Sequence, residues 1–116
     1  MGKFIDLKAA DGFTFPAYVA EPAGKPKAAV VVLQEIFGVN SHIQQVTDRF
    51  AAQGYLAIAP AIFERVEKGV DTGYNEATMK AGIALKAAVM ALPGAGIMQD
   101  VQASIDHVAK ASGGKV

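Results

Sequence analysis

The run Ala28-Ala29-Val30-Val31-Val32-Leu33 constrains this chain most, because apolar residues follow one another there without alternation. A strand with one wet face alternates apolar and polar side chains. An unbroken apolar strand suits a sheet covered on both faces, as parallel sheets are. The run stops abruptly at Gln34-Glu35, and Gly38, Asn40 and Ser41 follow before a helical pattern begins. Glu35 therefore falls just past a strand's carboxyl end, the edge at which open α/β sheets bind ligands. Wedged between Leu33 and Ile36-Phe37, its carboxylate is costly to bury without a partner. A solvated loop acid or a helix amino-terminal charge accounts for the same residue with no function attached.

The remaining elements fit around that strand. Phe4–Lys8 reads as a short strand, Asp11-Gly12 as a turn, and Phe13, Phe15, Ala17 and Val19 alternate with Thr14, Pro16 and Tyr18. That pattern predicts an antiparallel hairpin at a sheet edge, where Pro16 is tolerated. Ser41 is a candidate cap for a helix that places Ile43, Val46, Phe50 and Ala51 on one face and stops at Gly54. Tyr55–Ala59 is a second apolar strand, closed by Pro60. A loop rich in Gly, Asp and Lys spans 64–74, with Gly69–Asn75 the segment best suited to a lid. Asn75 is placed to cap a helix running to Leu92, and the Met79–Met98 region reads as ordinary helix core. A last helix carries Met98, Val101, Ile105 and Val108 at spacings of three and four. Lys115-Val116 looks like the first step of another strand. The order is that of an α/β fold, and 116 residues make one domain, 1–116.

Composition removes several classes of function. Eleven basic residues balance eleven acidic ones, with no basic stripe or charge block, so neither nucleic acid nor a membrane is expected as a partner. With no cysteine the chain has no disulfide, thiolate zinc site or cysteine nucleophile of its own. Met1–Lys8 carries no apolar core of signal-peptide length, and a cytoplasmic location is expected. Ser41, Ser104 and Ser112 lack the flanking glycines of a nucleophile elbow and read as caps or surface residues. His42 and His107 sit among polar neighbours in helical patterns and read as surface histidines. Gly94-Ala95-Gly96 lacks a third glycine and a preceding strand, and Gly113-Gly114-Lys115 lacks the Ser or Thr of a phosphate loop.

The segment V-V-V-L-Q-E-I-F-G-V-N at 30–40, followed by a helix and by Q-G-Y-L-A-I-A-P at 53–60, resembles the dienelactone hydrolase family of α/β-hydrolases. D-G-F-T-F-P-A-Y-V-A-E-P at 11–22 and S-G-G-K-V at 112–116 match the same layout. The resemblance implies the amino-terminal half of an α/β-hydrolase fold: a mostly parallel sheet with an antiparallel amino-terminal hairpin and helices packed on it. It implies that the chain stops just before the nucleophile elbow, with nucleophile, aspartate and histidine in a second half. Glu35 then matches the glutamate that contacts the resting nucleophile and moves aside for substrate. Ile36 matches the residue whose N–H supplies half of the oxyanion hole, and Phe37 lines the pocket mouth. The chain departs from the family where Pro60 leads to Ala61-Ile62-Phe63 rather than to Asp. The helix after the loop offers Lys80 and Lys86 in place of an arginine clamp for a substrate carboxylate, with Arg65 just upstream.

Three functions follow from this reading. The first is the amino-terminal portion of an ester or lactone hydrolase working through an acyl-enzyme, without metal or cofactor, its substrate contacts drawn from Phe37, Arg65 and Lys80. The isolated chain, having no triad, is expected to be inactive, its partner being the missing carboxyl-terminal half. The second is a non-catalytic scaffold that self-associates as an edge-paired or domain-swapped homodimer, since a sheet cut in the middle exposes an edge. The third is a small-ligand binding module using the Glu35 end of the sheet.

Overall fold

Phe15, Ala17 and Val19 point to one side of their strand and Tyr18 and Ala20 to the other, and all five are buried. Both faces are therefore covered. The computed structural model describes residues 2–116. Its elements are β1 (Lys3–Lys8), β2 (Thr14–Ala20), β3 (Ala29–Val31), α1 (Ser41–Ala52), β4 (Leu56–Pro60), α2 (Glu76–Met90) and α3 (Met98–Ala109). The strands lie in the order β1-β2-β4-β3.

The hairpin expected at the amino-terminus is present, with β1 antiparallel to β2 and at the sheet edge. β2 pairs antiparallel with β4 as well, so the sheet is mixed, and its parallel pairing is that of β3 with β4. α3 covers one face through Val108 and Ala103, against Phe15, Val19, Leu56 and Ile58. α1 covers the other through Ile43, Val46 and Ala51, against Tyr18, Ala20 and Ala59. Burial of a side chain such as Phe15 or Ile58 stabilises the fold by about 2 kcal/mol. β3 is shorter than the apolar run: Val32 is buried but Leu33 is 57% exposed. On its outer edge the Ala29 N–H donates to the Lys115 carbonyl at 2.7 Å, so the chain's last residues lie beside β3 where a further strand would pair.

The helices sit rotated from the faces their hydrophobic spacing predicts. In α1 the buried residues are Ile43, Thr47 and Ala51, and Phe50 is half-exposed. Thr47 goes inward at little cost because its hydroxyl donates to the Ile43 carbonyl at 2.8 Å. In α3 the inward stripe is Asp100, Ser104 and Val108, while Met98 is exposed. Ser104 and Ser112 are thus buried rather than on the surface, each hydroxyl satisfied by the carbonyl four residues back. Met79 and Met90 of α2 are exposed instead of in a core.

A buried carboxylate explains the turn of α3. Asp100 has no exposed side-chain surface, and the Arg65 Nη2 lies 2.8 Å from its Oδ1 while Nε donates to Oδ2 at 3.0 Å. The same guanidinium reaches Asp11, in the β1–β2 turn, at 2.7 and 3.0 Å, and stacks over Phe13 at 4.5 Å. One arginine therefore ties the hairpin turn, the segment after β4 and the first turn of α3. The hydrogen bonds from Arg65 hold the Asp11 carboxyl down at about 2, from an ordinary 3.8. Asp11 first, and then Asp100, push the guanidinium above its already high ordinary value.

Removing Arg65 leaves a buried charge unpaired, so Arg65→Met is expected to lower unfolding free energy by about 3 kcal/mol in denaturant titration. The Asp11 value lies lower in the folded than in the unfolded chain. Its contribution is therefore complete above the ordinary carboxylate value and is lost as pH falls through about 4 toward 2. Melting temperature across that window should drop less in Asp11→Asn than in the parent chain.

Candidate active site

The segment after β3 leaves the sheet as a tight turn, and its shape is dictated by backbone approach. The residues Glu35 and Gly38 pair as an isolated antiparallel bridge, the Gly38 N–H donating to the Glu35 carbonyl at 3.3 Å, and Gly38 also bridges Asp71. Gly38 has φ of +86°, and a Cβ there would overlap the Val70 carbonyl. Only glycine meets both demands. The Phe37 carbonyl accepts the Thr72 N–H at 2.9 Å. Gln34 anchors the turn's start, its Oε1 accepting from the Ile62 N–H at 3.0 Å and its Nε2 donating to the Glu35 carbonyl at 3.0 Å.

Asn40 closes the far end. It, and not Ser41, caps α1: its backbone is extended and its Oδ1 accepts the Ile43 N–H at 3.2 Å. Its Nδ2 donates to the Thr72 carbonyl at 3.0 Å and to the Tyr74 hydroxyl at 3.3 Å. Tyr74 packs edge-on against Phe37, ring centroids 4.5 Å apart, and donates to the Glu35 Oε1 at 3.3 Å. The loop that reads as a lid therefore lies down on the turn across 70–74. α2, capped by Asn75 as expected, approaches through Gly82, where a Cβ would collide with the Ile36 carbonyl.

The structure brings together three of the five residues singled out from the sequence, Glu35, Ile36 and Phe37. Phe37 is buried under Tyr74; Glu35 is exposed rather than wedged among apolar side chains, because Leu33 faces solvent. The Ile36 N–H has no acceptor among the described residues. Arg65 does not join them: its donors are spent on Asp11 and Asp100. Lys80 is exposed on α2 and lies 3.4 Å from Glu76, one turn before it. Gln34, Asn40, Thr72 and Tyr74 escaped the sequence reading, since their roles rest on contacts across 28 or more positions. The one visible hint was Tyr74, the single aromatic residue of the 64–74 loop. Among the described residues no three His, Asp or Glu side chains gather to hold a metal ion, and no helix is long and apolar enough to cross a membrane.

Comparison with known proteins agrees with this fold. A profile of the dienelactone hydrolase family matches residues 15–116. A protein of Synechocystis provisionally assigned as a carboxymethylenebutenolidase is 46% identical over 91 residues, which cover 78% of this chain and 36% of that protein. The carboxymethylenebutenolidase of Pseudomonas putida is 38% identical over 65 residues, covering 56% of this chain and 28% of its own. A crystal structure from Klebsiella pneumoniae, provisionally a dienelactone hydrolase, superposes with a TM-score of 0.71 at 29% identity, over 95% of this chain and 44% of that one. A dienelactone hydrolase-like promiscuous phosphotriesterase from metagenomic libraries shares the fold, with a TM-score of 0.65.

Helices on both faces of a mixed sheet, with a braced turn at the carboxyl end of β3, define an α/β-hydrolase fold. Within that class, the chain belongs to the dienelactone hydrolase family. It spans between about a quarter and less than half of the length of these relatives.

Gly38→Ala and Gly82→Ala each force backbone apart at the turn and should cost about 1–3 kcal/mol in thermal or chemical unfolding. Gly24→Ala, with nothing within 4 Å of the added methyl, is the near-neutral control.

Proposed function

We propose that this chain supplies the amino-terminal part of a hydrolase that cleaves an ester or lactone through an acyl-enzyme. The observation that carries the proposal is the Ile36 N–H, without an acceptor among the described residues, on a turn held from both ends beside an exposed carboxylate. A preorganised N–H of this kind stabilises the oxyanion that forms when a nucleophile attacks a carbonyl, and costs no reorganisation at that moment. On this reading the nucleophile, its histidine and aspartate, and the second oxyanion donor come from outside this chain, which spans less than half of its relatives. Attack forms the acyl bond and expels the alcohol or opens the ring; water then releases the acid. Glu35 acts as the partner of the resting nucleophile, and Phe37 shapes the mouth.

The substrate we favour is uncharged. Of the two arginines, Arg65 is committed to aspartates and Arg49 lies in the last turn of α1, so no bidentate grip on a substrate carboxylate is offered at the turn. Lys80 remains as a single point charge on α2.

Joining this chain to the carboxyl-terminal portion of the Synechocystis relative tests the proposal. A fusion that unfolds cooperatively should hydrolyse p-nitrophenyl acetate, and the chain by itself should not. In that fusion Ile36→Pro, which deletes the N–H, is expected to lower kcat by about 100-fold or more. A folded but inert fusion would refute the reading.

One feature favours a second reading for the isolated chain. Met79, Ile83 and Met90 form an exposed apolar stripe on α2, and the outer edge of β3 is open past Ala29. We propose that the chain by itself covers these surfaces with a second copy. Light scattering on a size-exclusion peak should then give twice the chain mass; a monomer across micromolar concentrations would exclude it.

A further inference from the structure

We infer that Tyr74 is a positioning residue for Glu35, holding one carboxylate oxygen so that the other is presented to the reacting centre. The inference rests on the hydrolase reading above, and extends it to a residue in the loop that folds over the turn. Tyr74 hydroxyl donates to Glu35 Oε1 at 3.3 Å, and Oε2 has no partner among the described residues. The phenol is itself oriented: its oxygen accepts from Asn40 Nδ2 at 3.3 Å, which leaves its single proton for the carboxylate. The ring is fixed by its edge-on contact with Phe37, at 4.5 Å and 73°.

The supports of this phenol are the supports of the turn. Asn40 caps α1 with one side-chain atom and holds Thr72 and Tyr74 with the other. Thr72 also donates its N–H to the Phe37 carbonyl, one residue from the Ile36 oxyanion donor. The position of Tyr74 thus registers whether the 70–74 segment is seated. Were it to lift, Glu35 would lose its only side-chain partner among the described residues and become free to swing. A carboxylate that must first contact a nucleophile and then yield to substrate needs a partner it can lose cheaply. An exposed, long phenol hydrogen bond supplies one, whereas a buried arginine pair would hold the carboxylate permanently.

Two readouts test the inference. The 116-residue chain contains no tryptophan, so tyrosine emission is directly readable, and a phenol hydrogen-bonded to a carboxylate is quenched. Glu35→Gln should raise that emission, and the rise should disappear when Tyr74→Phe is already present. An unchanged emission, or a rise that survives Tyr74→Phe, would overturn the contact. Tyr74→Phe keeps the ring on Phe37, and its circular dichroism should match the parent chain.

In the active fusion, Tyr74→Phe is expected to lower kcat about tenfold with KM nearly unchanged, the loss of one hydrogen bond to a charged group. In a Glu35→Gln background the same change should cost less than about twofold, since there is no carboxylate left to orient. Equal losses in both backgrounds, or a loss confined to KM, would overturn the positioning role. A fusion inert even with Tyr74 intact would count against the hydrolase reading, while the emission experiment would still decide the contact.

Discussion

The fold turns on a buried negative charge. Asp100 is fully enclosed at the start of α3, and a carboxylate in that setting is tolerable only with a close, hydrogen-bonded cation. Arg65 meets the demand from the segment after β4 and reaches through to Asp11 in the hairpin turn. Three stretches distant in sequence are thereby brought into register at one end of the sheet. α3 is rotated so that Asp100, Ser104 and Val108 face inward and Met98 faces out. The arginine that substrate binding would have claimed is spent on architecture.

The opposite constraint governs the turn after β3. No charge is buried there; the backbone is held by close approach and by hydrogen bonds from neighbours. Gly38 lets the 70–71 backbone come near, Gly82 lets α2 come near, and Asn40 and Gln34 secure the two ends. What these contacts leave over is an N–H at Ile36 with no acceptor among the described residues and an exposed carboxylate at Glu35. Local rigidity with unspent polar groups is the arrangement that electrostatic catalysis requires, because the donor need not move as charge develops.

Much of the chain was legible in advance, and the misreadings share one cause. The alternation Phe15-Ala17-Val19 located β2, the unbroken run 28–33 located β3, and Asn75 located the start of α2. The motif around Glu35 pointed to the right family. Periodicity, however, reports which residues are apolar and not which neighbours arrive. It put Phe50 and Met98 inside, where Thr47 and Asp100 went instead, because a hydroxyl can bond the preceding turn and a carboxylate can find an arginine. The family resemblance, by contrast, offered Arg65 as a substrate contact, and the structure pairs it with Asp11 and Asp100.

The amino-acid sequence by itself determined the α/β class and the order and approximate extent of the strands and helices. Those properties follow from local rules: side-chain alternation, unbroken apolar runs, glycine at turns and polar caps. Tertiary structure alone decided the partners of Arg65, the rotation of α1 and α3, the exposure of Glu35 and its contact with Tyr74. The pairs of Arg65 and the contact of Tyr74 join groups more than thirty residues apart at hydrogen-bond distance. No local propensity encodes such a meeting; it exists only once both faces of the sheet are covered.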